Sequence, residues 1–140
     1  MIFSGDHVLP RISPHIALEL PGPANPLADY YESLELIAFE DEMEVCPAHE
    51  YRFTGMQRRV AQLIEHNRQR SDEVLQVLDR HRPATVWDIA RQLTWSRGWN
   101  SLQAFSLRLA VSETASHVVY LRAQGHDIDV PVTDPRPAVR

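Results

Sequence analysis

The stretch Met1-Ile2-Phe3-Ser4-Gly5-Asp6-His7-Val8-Leu9 decides how the rest of the chain is read. A short apolar run ends in a glycine, and an aspartate and a histidine follow at once. Such a run reads as a buried strand, and the glycine ends it and lets the backbone turn. Side chains delivered at the carboxyl ends of strands are where open α/β sheets collect their chemistry. Because the stretch opens inside the strand, the chain is expected to start part-way through a domain.

Working outward, Pro10 to Pro26 carries prolines at 10, 14, 21, 23 and 26 together with Gly22. Proline removes backbone donors and restricts the residue before it, so an extended loop is expected. Its apolar residues Ile12, Ile16, Leu18 and Leu20 suggest that it is laid against a surface. Pro26 suits the first turn of a helix capped by Asn25, and Leu27, Tyr30, Tyr31, Leu34 and Ile37 recur at helical spacing. A second short strand, Met43 to Cys46, runs into Pro47-Ala48-His49-Glu50. Strand, helix and strand in that order form a crossover with parallel strands. Such a crossover would bring Asp6 and His49 to the same carboxyl edge.

Thr54 can cap a long helix from Gly55 to about Arg80, with Met56, Val60, Leu63 and Ile64 facing one neighbour and Val74, Leu75 and Leu78 the next. Arg82-Pro83 ends it. Thr85 and Asp88 have capping-box spacing for a helix from Val86 to Leu93. Trp95, Gly98 and Trp99 read as a turn. A helix from Ser101 to Gln124 follows, with Leu102, Phe105, Leu109, Val118 and Leu121 inward and Gly125 as its stop. Residues 128–132 read as an edge strand, and 133–140 as a flexible tail.

The whole has 140 residues and a net charge of −5, which argues against a general nucleic-acid binder. All 14 basic residues are arginine, read as coding bias. Acids crowd the segment from Glu19 to Glu50, through Glu32, Glu35, Glu40, Asp41, Glu42 and Glu44. The sign reverses from Arg52 to Arg70. Two mutually attracting segments, or simply solvated faces, account for this. No apolar stretch is long enough to span a bilayer, and a basic leader pattern is absent, so no membrane role is expected. Cys46 is the sole cysteine, which fits a reducing cytoplasm.

Phe3-Ser4-Gly5-Asp6-His7-Val8-Leu9 and Pro47-Ala48-His49, followed by a long helix and a small three-helix unit, resemble the C-terminal half of a metallo-β-lactamase-fold hydrolase. The branch is that of glyoxalase II and the lactamase-like endoribonucleases, with an associated winged-helix-like domain. The resemblance runs from Met1 to about Gly125. It implies an α+β chain: a partial αββα sandwich over residues 1–70, then a winged-helix-like domain over 71–132. It also implies that Asp6 bridges two metal ions, usually zinc, and that His49 ligates the second. The donor types agree, since a carboxylate can span paired cations and neutral imidazole suits zinc. The family's His-x-His-x-Asp-His motif is absent from this sequence, whose histidines at 7, 15, 49, 66, 81, 117 and 126 include no His-x-His pair. Two donors fall short of the three or four that zinc needs for tight binding, so low activity or none is expected of this chain alone.

Each residue also has a plainer reading. Asp6 could be a turn aspartate. His7 would point away from Asp6 if the strand continued, and could steady the site from behind. His66 suits a solvated helix face, His117 a packed interior position, and Cys46 a buried strand. Trp87, Trp95 and Trp99 suit core anchors of a small helical unit better than nucleobase stacking. Two functional readings follow: one portion of a dinuclear zinc hydrolase, or a non-catalytic interaction module derived from such an enzyme. A strand pair with one helix leaves a sheet edge and an apolar face open. Self-association, or binding to a complementary hydrolase half, is therefore expected through residues 1–50.

Overall fold

Proline and glycine punctuate the first half of the chain, and the regular elements fall between them. In the computed structural model, which describes residues 1–19, 21–39 and 41–132, strand β1 (Ile2–Gly5) lies parallel to strand β2 (Val45–Pro47). Leu20, Glu40 and the expected flexible tail at 133–140 lie outside the described residues. Ile2 pairs with Val45, Phe3 with Cys46 and Gly5 with Pro47, with an irregularity between Phe3 and Gly5. The amide of Ala48 donates to the Gly5 carbonyl at 2.9 Å, carrying the pairing one residue past β2. Helix α1 (Pro26–Ile37) connects the strands, and Pro26 occupies its first position as the missing N–H there allows.

Four further segments follow among the described residues: α2 (Met56–His81), α3 (Val86–Ala90), a 3₁₀ turn at Trp99–Ser101 and α4 (Ala104–Ala123). They divide between two compact units. The first comprises Met1–His15 and Ala28–Arg68; the second comprises Ile16–Leu27 and the described residues from Gln69 on. The segment from Ile16 therefore groups with the helical unit rather than with the strands on either side of it. The reason is local: Leu18 donates its amide to the Ser112 carbonyl at 3.1 Å and receives the Ser112 hydroxyl at 3.2 Å.

In the first unit Val8, Leu9, Tyr30, Leu34, Val45, Cys46, Met56, Val60 and Leu63 are buried. Leu34 and Leu63 are the inward positions of their helices, as the periodicity requires. The first strand departs from expectation. It is not buried: Phe3 is 81% exposed, and only alternate residues of β1 turn inward. A two-stranded sheet with β1 at its edge has a neighbour on one side of that strand only among the described residues.

The second unit is built round Val74, Val77, Val86, Ile89, Val111, Val118 and Leu121, with Leu18, Ile128 and Val130 closing over them. Leu75 and Leu78, expected inward, are only partly buried against this core, while Val77 takes the interior position. Helix α3 opens with the expected capping box: the Asp88 amide reaches the Thr85 hydroxyl at 3.1 Å, and the Thr85 amide reaches the Asp88 carboxylate at 3.1 Å. It stops at Ala90 rather than Leu93. The last turn tightens to three-residue hydrogen bonds at Gln92 and Leu93, and the Trp95 indole takes the Ala90 carbonyl at 2.7 Å.

Helix α4 starts later than Ser101, because Trp99–Ser101 forms the 3₁₀ turn and extended Gln103 caps the helix through the Ser106 hydroxyl. Phe105 therefore falls on an outer face and is 72% exposed, not inward. Gly125, at φ +96°, ends the helix as expected, with the His126 amide returning to the Leu121 carbonyl at 3.1 Å. Residues 128–132 form no strand. The Arg122 guanidinium binds the carbonyls of Ile128 and Val130, and one side chain thus replaces a ladder. No strand occurs among the described residues of the second unit, so the wing of the expected winged-helix-like domain is not seen there.

Candidate metal centre

The candidate centre begins at the turn after β1. Ser4 to His7 closes with the His7 amide donating to the Ser4 carbonyl at 2.9 Å, and Gly5 takes φ +54° at its second position. Of the two central residues only Gly5 has positive φ, the arrangement of a type II′ turn, which favours glycine there. The turn presents Asp6 at the carboxyl end of β1. Two residues past β2, His49 stands beside it because the strands are parallel and Ala48 is still bonded to Gly5. Its Nε2 lies 3.3 Å from Asp6 Oδ1, and both side chains are 66% exposed.

That separation fits two donors to one cation. Tetrahedral zinc binds N and O donors at about 2.0–2.2 Å, which sets neighbouring donors roughly 3.3–3.5 Å apart. The separation is long for a hydrogen bond made for its own sake. Both groups are open to solvent, so an ion could reach them. Among the described residues no cluster of three or more His, Cys, Asp or Glu side chains is arranged to hold a metal. The pair is therefore chemically apt as part of a centre and insufficient as the whole of one.

The residues around the pair are held firmly. Glu50, directly after His49, has φ +70°, a left-handed conformation that glutamate rarely adopts. Its carboxylate accepts the backbone amides of Arg11 and Ile12 at 3.0 and 3.3 Å and the Arg11 Nε at 3.0 Å. Desolvation pushes the Glu50 carboxyl upward, but the hydrogen bonds from the Arg11 amide, the Arg11 side chain and the Ile12 amide outweigh it and hold the group below its ordinary range. Arg59, from α2, donates to the carbonyls of Leu9 and Ile12 at 2.6 and 2.8 Å. The loop after β1 is thus tied from both sides. The Arg11 guanidinium also lies over the Tyr51 ring, 5.7 Å from its centre.

His7 does not join the pair. Its Nε2 lies 3.1 Å from the Ser33 hydroxyl, which donates to the Tyr30 carbonyl at 2.8 Å; we therefore assign the ring proton to Nε2. The ring meets Tyr30 edge-on at 5.2 Å, and the Tyr30 hydroxyl donates to the His7 carbonyl at 3.1 Å. Burial lowers the His7 pKa, with the hydrogen bond at Ser33 opposing it, so the ring favours its neutral form. His7 thereby fastens the turn to α1.

The other candidates fall elsewhere. His66 is exposed, Cys46 is buried, and His117 is buried with Nδ1 2.8 Å from the Ser71 hydroxyl. Trp95 and Trp99 pack against the helical core, while Trp87 is 42% exposed and meets Trp99 edge-on at 5.1 Å. Arg122 is spent on backbone carbonyls, which removes one of the two basic residues a nucleic-acid-reading α4 would offer. Sequence reading missed Glu50, Arg59 and Ser33. Only the adjacency of Glu50 to His49 could have drawn attention, since its three hydrogen bonds cross 38–39 residues of chain.

Comparison with known proteins bears on the chain as a whole. The chain is similar to part of metallo-β-lactamase-family proteins, and it spans about a third of the length of those it matches. No family model matches it. The probable metallo-hydrolase YqjP of Bacillus subtilis is 29% identical over 127 residues, which cover 88% of this chain and 38% of YqjP. A metallo-β-lactamase family protein of Thermus thermophilus matches with a TM-score of 0.72 and 28% identity, covering 88% of this chain and 36% of that one. A β-lactamase domain protein of Burkholderia ambifaria matches with a TM-score of 0.73 and 30% identity, over the same shares. No described helix is long and apolar enough to cross a membrane.

Proposed function

We propose that this chain supplies one portion of a metal-dependent hydrolase centre, with Asp6 and His49 as its ligands and the remaining donors contributed by polypeptide outside this sequence. The observation that carries the reading is the 3.3 Å approach of Asp6 Oδ1 to His49 Nε2 at the shared carboxyl edge of two parallel strands. The names of the similar proteins support a metal, and the resemblance favours a zinc pair of the glyoxalase II or endoribonuclease kind. A bound zinc pair supplies Lewis acidity and a water that ionises near neutral pH, suited to a thioester, ester or phosphodiester. Asp6, with two carboxylate oxygens, would span the two cations, and His49 would hold one of them through Nε2. Gly5 and Glu50 shape the turns that aim these side chains. On this reading the chain is inactive by itself, and its setting is cytoplasmic.

The second reading, a non-catalytic interaction module, is favoured by the open β1 edge and exposed Phe3. Both readings lead us to propose that residues 1–50 bind a second copy or a complementary hydrolase half. Zinc titration by calorimetry tests the metal reading. Weak binding lost in both Asp6→Ala and His49→Ala supports it, and binding unchanged in either variant refutes it.

A further inference from the structure

Glu50 is one of two non-glycine residues with a left-handed backbone among the described residues. At φ +70° a residue with a Cβ is strained, and glycine would sit there freely. A strained residue persists where the surroundings hold it, and such positions gather at functional sites. Here the surroundings are identifiable. The carboxylate takes two successive backbone amides and one guanidinium N–H, all from residues 11–12, and its side chain is only 13% exposed. These bonds join the loop that follows Asp6 to the residue that follows His49. The two loops carrying the candidate ligands are thus tied to each other by one carboxylate. Arg59 pins the same loop at Leu9 and Ile12 from α2, and on the His49 side Glu50 adds its carboxylate to the Ala48–Gly5 backbone bond and the Arg11–Tyr51 contact.

We propose that Glu50 is a positioning residue, whose clamp on Arg11 and Ile12 sets the His49 imidazole against Asp6. The inference deepens the metal reading and rests on it for its purpose. Two side chains that are largely exposed have little packing to fix their rotamers, so the backbone must aim them. Glu50 does so by holding the His49 peptide at a fixed offset from the turn that aims Asp6. A guanidinium on one carboxylate oxygen and two amides on the other fix the carboxylate plane as well as its position.

The test reads the Asp6–His49 coupling without metal, using the His49 ring resonances by NMR in the full chain. Four proteins are compared: wild type, Asp6→Asn, Glu50→Gly and the double variant. Asp6→Asn is expected to move the His49 ring resonances in wild type, and to move them by roughly half as much or less once Glu50 is glycine. The amide resonances of β1 and β2 should stay in place. A role confined to the turn predicts the opposite, because glycine relieves the strained φ and leaves His49 where it was. An equal displacement in both backgrounds, or none in wild type, overturns the proposal. Glu50→Gln keeps the side chain's size and one oxygen acceptor, is expected to fall between the two, and serves if the glycine variant does not fold.

Zinc chloride titration, followed at the same resonances, should show affinity weakened about tenfold in Glu50→Gly, the usual effect of losing a residue that orients a ligand. If zinc leaves His49 unmoved in wild type, the metal reading fails, while the metal-free coupling still decides the role of Glu50.

Discussion

Replacing Gly5 should destabilise the protein in an order set by backbone conformation alone. At φ +54° nothing lies within 4 Å of a Cβ added at Gly5, so no steric clash contributes. What remains is the left-handed strain of an L-residue, about 1–2 kcal/mol, offset in part by about 0.4–1 kcal/mol from a stiffer unfolded chain. Gly5→Ala should therefore lose about 1 kcal/mol net. Gly5→Asn should lose less, because asparagine tolerates this region, and Gly5→Val more, because its branched Cβ does not. Urea unfolding gives the values from midpoints, provided the slope is unchanged. Because Gly5 lies in the first compact unit, hydrogen exchange at the β2 amides should report the same order. Alanine as stable as glycine, or asparagine worse than valine, would refute a conformational origin for the loss.

Ser71→Ala should destabilise by about 1–3 kcal/mol, because it strips the buried His117 Nδ1 of a 2.8 Å partner; thermal or urea unfolding measures it. Thr85→Ala removes the helix cap and should lose about 1 kcal/mol, with faster amide exchange at Asp88 and Ile89. The pH dependence has a definite sign at Tyr30. Burial, chiefly, raises its hydroxyl pKa, with Arg59 opposing and Tyr31 adding to the rise. Above about pH 10 the unfolded chain ionises first, so stability present below that pH is lost as pH rises toward the folded value. Tyr30→Phe should flatten that alkaline fall in urea midpoints while losing the bond to the His7 carbonyl. Phe3→Ser should shift any self-associated species toward monomer in light scattering at micromolar concentration; a strictly monomeric, well-folded wild type would refute association through the β1 region.

The parts of the fold that were legible are those in which neighbours in sequence are neighbours in space. Pro26 at a helix start, the Thr85–Asp88 capping box and Gly125 at a helix end are settled within a few residues, and periodicity placed Leu34, Leu63 and Val118 inside. The parts that were not legible depend on a distant partner. The 3₁₀ turn at Trp99–Ser101 displaced the start of α4 and turned Phe105 outward, and a single guanidinium took the place of an edge strand at 128–132. No local pattern announces either event.

The candidate centre divides along the same line. The Asp6–His49 juxtaposition was legible because parallel pairing makes it a matter of order: whatever follows two adjacent parallel strands must meet at one edge. How accurately the two side chains are aimed is a different quantity, carried by hydrogen bonds between residues 11–12 and 50 and between residues 9, 12 and 59. Crossover topology can be read from residue types and spacing, whereas a clamp needs coordinates. A sequence that kept Gly5, Asp6 and His49 but lost Glu50 would look equally capable on paper. In the folded protein it would still bring carboxylate and imidazole to the same edge, held on the His49 side by the Ala48–Gly5 bond and the Arg11–Tyr51 contact but without the carboxylate that fixes their 3.3 Å approach.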